Sequence, residues 1–356
     1  MKIILISTGG SGGNVIPAIN LYHHLKNNFE VKIYTDIRGL KFIPNHIEKN
    51  IFEVKKIPEK KYLFIFKIIF LFFALIKSII HLIFNKFEII ISTGGYMSLP
   101  LVIAARLFNK QIFLFEPNSI IGKSNKFLLR FSNKIFFYDE NLKGIEKKYL
   151  KKIIFLPPIL DKCFYEKKNI SFEKDNILKI LILGGSQASL FFTKNLKQEI
   201  IRLSSKYKIE VTQQLTKDFE IKKYKKDYEI NNIKNNLFYF EENFLCGSDD
   251  YDIAISRSGA SSLAELSHLN IPFISIPYPH ATDNHQYLNA KRYFDLNCCW
   301  ILEEKNFNSG DIYKIIDEIM FNKKDYFEKK NNLKTYSENV SWKNINEIII
   351  KSLNEN

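Results

Sequence analysis

A short apolar run, a glycine-rich turn and a helical pattern follow one another near residue 3 and again near residue 180. Residues 3–6 lead into Thr8-Gly-Gly-Ser-Gly-Gly-Asn14 and a helix over 15–25; residues 179–183 lead into Gly184-Gly-Ser-Gln-Ala-Ser189 and a helix over 190–205. Apolar runs this short, bounded by glycine, suit strands of a parallel sheet covered on both faces. Two such openings in 356 residues imply an α/β chain of two doubly wound, Rossmann-like domains facing a cleft. Further strands are predicted at 30–35, 87–92, 111–115, 135–138 and 153–156, then at 209–213, 236–240, 253–256 and 273–276. Pro157-Pro158 continues neither a ladder nor a helix, which divides the chain into domains 1–158 and 159–340. The tail reads as three amphipathic helices, and the last, over 341–356, is expected to cross back onto the first domain.

Open sheets of this kind bind ligands outside the carboxyl ends of their strands. The stretch 252–266 concentrates the suitable chemistry there: a strand, a turn at Gly259, then Ala260, Ser261 and Ser262 opening a helix that carries Glu265. The first amides of a helix lack internal partners and suit a phosphate, while a carboxylate can accept from two vicinal sugar hydroxyls. Read alone, the stretch fits a nucleotide site and a serine-capped structural helix equally. Four other loops add to it: the two glycine loops above, Thr93-Gly-Gly-Tyr-Met-Ser98, and 116–125 with Glu116, Asn118 and Lys123. The first glycine loop departs from G-x-G-x-x-G spacing, yet Asp36 stands where a ribose-binding acid would, so a nicotinamide enzyme stays open.

The net charge of +14 favours anionic partners, but no basic stripe interleaved with aromatics marks a nucleic-acid groove. Cys163, Cys246, Cys298 and Cys299 have no metal-ligand spacing and are expected as reduced thiols. The opening apolar run is too short for an export signal. The stretch 63–84, from Leu63 to Phe84, is long enough to span a bilayer, but Lys67, Lys77 and His81 interrupt it. Lys67 and Lys77 fall on one helical face, which fits a helix lying on an anionic membrane surface, with Lys55, Lys56, Lys60 and Lys61 upstream. A crossover helix packed on the sheet is the alternative. The run 222–226 reads as a solvated helix face.

Six motifs, GGSGGNVIPA, STGGYMSLP, EPNSIIGKSNK, LGGSQAS, SRSGASSLAEL and PHATDNHQYLNA, occur in the order and spacing of the MurG family, which the chain resembles over nearly its whole length. The resemblance implies a GT-B fold and a membrane-associated transferase. Such an enzyme moves N-acetylglucosamine from its UDP donor to the 4-hydroxyl of the muramyl sugar of lipid I, giving lipid II of peptidoglycan. No D-x-D pair stands at a strand end, since Asp249-Asp250 precedes a strand instead, so no metal and no cofactor are expected, and the transfer is expected to be a single displacement with inversion at the sugar. The resemblance also implies residence as a peripheral protein on the cytoplasmic face of the bacterial inner membrane, with other cell-wall enzymes as further candidate partners.

By the same resemblance, Ser11, Gly12, Gly13, Asn118, Ser186, Ala260, Ser261, Ser262, Glu265, Gln286 and Asn289 are candidate donor contacts. Gly94, Gly95, Tyr96 and Ser98 fall where the acceptor diphosphate is held. Asn14 replaces a histidine expected as base or acceptor-positioning group, and an amide takes no proton near neutral pH, so Glu116 becomes the candidate base. Leu160 stands in place of an arginine, with Lys162 two residues on, while Glu241 and Pro117 replace other expected side chains. Two rivals remain at this level: a GT-B transferase with another lipid acceptor such as diacylglycerol, and a degenerate homologue serving as a membrane scaffold.

Overall fold

The computed structural model describes residues 1–52, 64–139, 143–166, 176–239, 241, 244–246, 251–338 and 340–355, with the backbone alone for 64–68. The lysines at 55, 56, 60 and 61, Leu63, Phe240, the Asp249-Asp250 pair and the side chain of Lys67 lie outside that description. The chain forms two compact units, Met1–Leu160 with Trp342–Asn356, and Asp161–Ser341.

Unit 1 is built on seven parallel strands: β1 (Ile3–Ser7), β2 (Glu30–Thr35), β3 (Lys49–Ile51), β4 (Ile89–Ser92), β5 (Gln111–Glu116), β6 (Lys134–Phe137) and β7 (Ile153–Phe155), in the order β3-β2-β1-β4-β5-β6-β7. Its helices are α1 (Gly12–Leu25), α2 (Ile37–Leu40), α3 (Phe64–Phe84), α4 (Ser98–Leu107) and α5 (Lys123–Leu128). Unit 2 holds six parallel strands: β8 (Leu178–Leu183), β9 (Ile209–Gln214), β10 (Lys234–Phe238), β11 (Ile253–Ser256), β12 (Phe273–Ser275) and β13 (Cys299–Ile301), in the order β10-β9-β8-β11-β12-β13. Between and after them run α6 (Leu190–Ser204), α7 (Ile221–Ile230), α8 (Ala260–His268), α9 (His285–Asp295), α10 (Asp311–Phe321) and α11 (Lys323–Glu338). A last helix, α12 (Trp342–Asn354), returns to unit 1, where Trp342 stacks on His24 of α1 at 3.6 Å between ring centroids.

The central strands follow from their sequences. Ile4, Leu5 and Ile6 of β1, and Ile180, Leu181 and Ile182 of β8, are fully buried, as a run apolar on both faces requires. The edge strands β3 and β13 escape a reading based on apolar periodicity, β3 because it is Lys-Asn-Ile and β13 because it is only three residues long. In both sheets the strand order reverses beside the first strand, between β1 and β4 and between β8 and β11. The glycine loops open at those two points, where ligands of open α/β sheets bind.

Two features go beyond the sequence reading. Cys163 and Cys246, 83 residues apart, are brought together with their Cα atoms 5.6 Å apart, while Cys298 and Cys299 are free and buried. Spacing along the chain carries no trace of a contact made only by folding. His81 does not weigh on α3 as a charge in an apolar surface. It faces inward, with Nε2 2.5 Å from the Tyr34 hydroxyl, and burial lowers its pKa, aided by Lys77. No helix among the described residues is long and apolar enough to cross a membrane.

Candidate functional site

At the switch point of unit 1 the loops after β1 and β4 are tied by small polar groups. Thr93 Oγ1 donates to Thr8 Oγ1 at 2.8 Å, and Ser7 Oγ donates to Ser98 Oγ at 3.2 Å. Asn14 Nδ2 donates to the carbonyl of Gly9 at 3.1 Å. Gly94 and Gly95 hold φ values of +93° and +88°, where a side chain is strained, and a Cβ on Gly95 would press on Gly9 O at 3.1 Å. The Asn14 carboxamide lies against the same two glycines. Ser11 and Gly13 are exposed and Gly12 is buried at the start of α1, which makes no side-chain capping bond. Tyr96 is exposed, whereas Ser98 is fully buried with its hydroxyl donating to Gly94 O at 2.9 Å. Ser98 therefore shapes the loop from beneath and has no surface to offer a diphosphate.

Asp36 is likewise committed. Its Oδ1 accepts from the amides of Gly10 at 3.0 Å and Gly39 at 2.9 Å, and Arg38 pairs with Oδ2 at 2.6 Å. Burial opposes its charge, but these donors outweigh it and hold its pKa below the usual carboxylate range. It braces the glycine loop and is not an open ribose ligand.

Glu116, the candidate base, is 3% exposed. Its Oε1 accepts from Asn118 Nδ2 at 2.8 Å, and Oε2 accepts from Gly122 N at 2.8 Å and Asn125 Nδ2 at 3.0 Å. Burial raises its pKa, and these bonds partly offset the rise. Such a carboxylate organises its own loop, since a base must present a free lone pair to the reacting hydroxyl. Asn125, absent from the sequence-based candidates, connects this loop to the one before it. It is buried, and its Nδ2 lies 3.5 Å from where a Cβ on Gly94 would stand.

Unit 2 arranges its switch point differently. A Cβ on Gly184 would overlap Ser189 N at 2.3 Å, so only glycine closes that turn. Gln214, at the end of β9, accepts from Gly184 N at 2.9 Å and donates to Gly185 O at 3.0 Å, leaving Ser186 half-buried at the loop tip. Ser189 caps α6 through Phe192 N at 3.3 Å. The amino end of α8 has no side-chain cap; Ser261 and Ser262 stand there half-buried, their hydroxyls without partners among the described residues. Ala260 is its first residue.

Glu265 lies one turn further along, half-buried, its carboxylate with no hydrogen bond among the described residues, and burial pushes its pKa up to about 8. An unpartnered carboxylate at the mouth of a loop is costly unless a ligand supplies donors. Gln286 Oε1 accepts from Tyr278 N at 2.9 Å and Ser258 N at 3.3 Å, tying the β12–α9 connection to the β11–α8 turn. Asn289 is buried and donates to Ser258 O at 3.1 Å. Ser258 is buried against Ser275 Oγ at 2.7 Å and offers no hydroxyl to a ligand. Leu160 is buried, Lys162 pairs with Glu166, and Glu241 is exposed.

Two parallel doubly wound units with nucleotide-type loops at both switch points define the class of a two-domain glycosyltransferase. Residues 4–137 match the glycosyltransferase family 28 N-terminal domain and residues 179–345 the glycosyltransferase family 28 C-terminal domain. A relative from Pelagibacter ubique (strain HTCC1062) is named UDP-N-acetylglucosamine--N-acetylmuramyl-(pentapeptide) pyrophosphoryl-undecaprenol N-acetylglucosamine transferase. It is 42% identical over 357 residues, covering 100% of this chain and 99% of that protein. A relative of the same name from Rickettsia canadensis (strain McKiel) is 33% identical, covering 94% and 95%. The crystal structure of Acinetobacter baumannii MurG matches with a TM-score of 0.76 over 99% of this chain and 100% of that one, at 19% identity. The chain belongs to the MurG family and has its GT-B fold.

Proposed function

We infer that this protein transfers N-acetylglucosamine from UDP-N-acetylglucosamine to the muramyl sugar of lipid I, giving lipid II for peptidoglycan and so for cell-wall growth and division. The observation that carries this reading is the full-length 42% identity to a relative of that name. In it, unit 2 binds the donor. The open amides of α8, with Ser261 and Ser262, receive the pyrophosphate, and Glu265 accepts from the ribose hydroxyls. The reaction is a single displacement with inversion. The acceptor hydroxyl attacks the anomeric carbon, the bond to the UDP oxygen breaks, the leaving diphosphate gains charge, and the hydroxyl proton passes to water. Fixed amides and hydroxyls at a helix amino end stabilise that charge without a metal ion, so turnover persists in EDTA.

Unit 1 serves the acceptor in this reading. Gly94, Gly95 and Tyr96 receive its diphosphate, and the Asn14 amide positions the sugar where a base is not available. Glu116 contributes as loop organiser because both of its oxygens already accept from loop donors. The protein works as a peripheral protein on the cytoplasmic face of the inner membrane through α3. That helix exposes Ile69, Phe73, Ile80, Ile83 and Phe84 along one side, with Lys77 among them.

The test is transfer of labelled N-acetylglucosamine from UDP to a lipid I analogue in detergent, beside Glu265→Ala. Transfer lost in that variant supports the reading. Donor binding without transfer to lipid I, but with transfer to another lipid, replaces the acceptor. No donor binding overturns the reading.

A further inference from the structure

An enclosed charged group at the carboxyl ends of the unit 2 strands touches none of the groups assigned to the donor. Arg257 is 6% exposed, and its guanidinium is surrounded by the ends of four strands. Its Nε donates to Ser189 Oγ at 3.2 Å, reaching the loop after β8. Its Nη1 donates to the carbonyls of Ile276 at 3.1 Å and Pro277 at 3.3 Å, just past β12. Its Nη2 meets Glu304 Oε2 at 2.5 Å, beyond β13, as an ion pair that leaves Oε2 without a hydrogen-bond donor in line. The rings of Phe192, Phe191 and Tyr278 lie 4.7, 5.5 and 5.6 Å from the guanidinium carbon. Phe307, next to the short turn that carries Glu304, packs on Phe191 at 5.0 Å.

We propose that the Arg257–Glu304 pair is the positioning element of the donor site: it holds the 184–189 loop, the β11–α8 turn and the β12–α9 connection in one register. This rests on the donor reading of unit 2 given above. The physical argument is one of over-determination. Ser189 also caps α6, and Tyr278 N and Ser258 N share Gln286, so a shift at Arg257 reaches each donor element through a single bond. A planar fork can hold these partners at once, whereas an ammonium cannot. A buried cation needs a compensating charge, and among the described residues only Glu304 pairs with it. Burial lowers the Arg257 pKa and Glu304 raises it in opposition, so the carboxylate favours the charged form.

The experiment measures KM for UDP-N-acetylglucosamine, KM for a lipid I analogue, kcat and the thermal midpoint in wild type, Glu304→Gln, Glu304→Asp, Arg257→Gln and Arg257→Gln/Glu304→Gln. Displacement of the loops is expected to raise donor KM about tenfold or more in Glu304→Gln, with acceptor KM unchanged. Glu304→Asp recovers part of the loss, and the double variant is no worse than Arg257→Gln. Donor KM unchanged in Glu304→Gln, with activity down only as the folded fraction falls, overturns the proposal and leaves the donor reading standing. Wild type that binds no donor overturns that reading and this role together.

Discussion

The carboxyl edges of the two sheets differ although six strands follow the same order in both. Unit 1 is stitched by short groups, Thr8 with Thr93, Ser7 with Ser98 and Asn14 with Gly9, and its buried carboxylates Asp36 and Glu116 accept from loop amides. Unit 2 is braced from beneath by Arg257 and Gln286, each spanning two loops, and by Gln214, which holds both Gly184 and Gly185 of one loop. Short stitches let glycine backbones come close, as Gly95 does to Gly9. The arginine fork reaches several loops at once, and the amino end of α8 is left without a side-chain cap. The topology sets where a ligand goes, and the bracing sets what kind.

A second contrast runs along the helices. In α7 the lysines at 222, 223, 225 and 226 face water while Tyr224 and Tyr228 are buried, an ordinary amphipathic helix. In α3 the outward face is apolar, with Phe72 at 58%, Phe73 at 63% and Phe84 at 81% exposure. Ala74, Ser78 and Leu82 face inward. An outward apolar face of that extent calls for a partner, and α7 needs none.

The contrast between the edges breaks first at Glu265. Glu265→Ala is expected to lower kcat/KM for the donor about 10²–10³-fold, the loss of two charge-assisted hydrogen bonds. A variant with wild-type donor KM would remove the carboxylate from the site. The counterpart in unit 1 is Glu116→Gln, which turns an amide nitrogen toward donors. It is expected to destabilise unit 1 by about 1–3 kcal/mol, read as a lower urea midpoint. An unchanged midpoint with a lost acidic limb in the pH–rate profile would instead make Glu116 the base.

Protonation sharpens the comparison further. With its pKa pushed to about 8, Glu265 is protonated in the empty site below that pH, and sugar hydroxyls prefer the ionised acceptor. Donor affinity should therefore rise with pH, by up to about tenfold per unit below 8, and level off above it. Calorimetry across that range checks the slope, and Glu265→Gln should flatten it. The smallest effect belongs to the helices. Phe73→Asn or Ile80→Asn is expected to weaken binding to anionic vesicles about fivefold without moving the thermal midpoint, from the lost apolar area. Lys225→Gln in α7 should do neither. Equal losses in both helices would mean that charge alone holds the protein to lipid.

Much of this was legible in the sequence because it is local. The apolar runs of β1, β4, β8 and β11, the glycines that follow them and the serines opening α8 each declare themselves within a few residues. The edge strands β3 and β13 did not, since Lys49–Ile51 is largely polar and Cys299–Ile301, though apolar, is only three residues long. Site residues were readable as motifs but not as roles. Ser98, Ser258 and Glu116 carry polar groups at strand ends, and only their neighbours show that those groups point into the loops.

The sequence by itself determined two doubly wound halves, the places where each would bind and the family to which the chain belongs, because strand and turn preferences act over a few residues at a time. The tertiary structure decided which polar groups remain for a ligand. Arg257 meets Glu304 across 47 residues and Cys163 meets Cys246 across 83. Whether a carboxylate is a brace like Asp36 or an open acceptor like Glu265 depends on the donors that folding brings within hydrogen-bond reach.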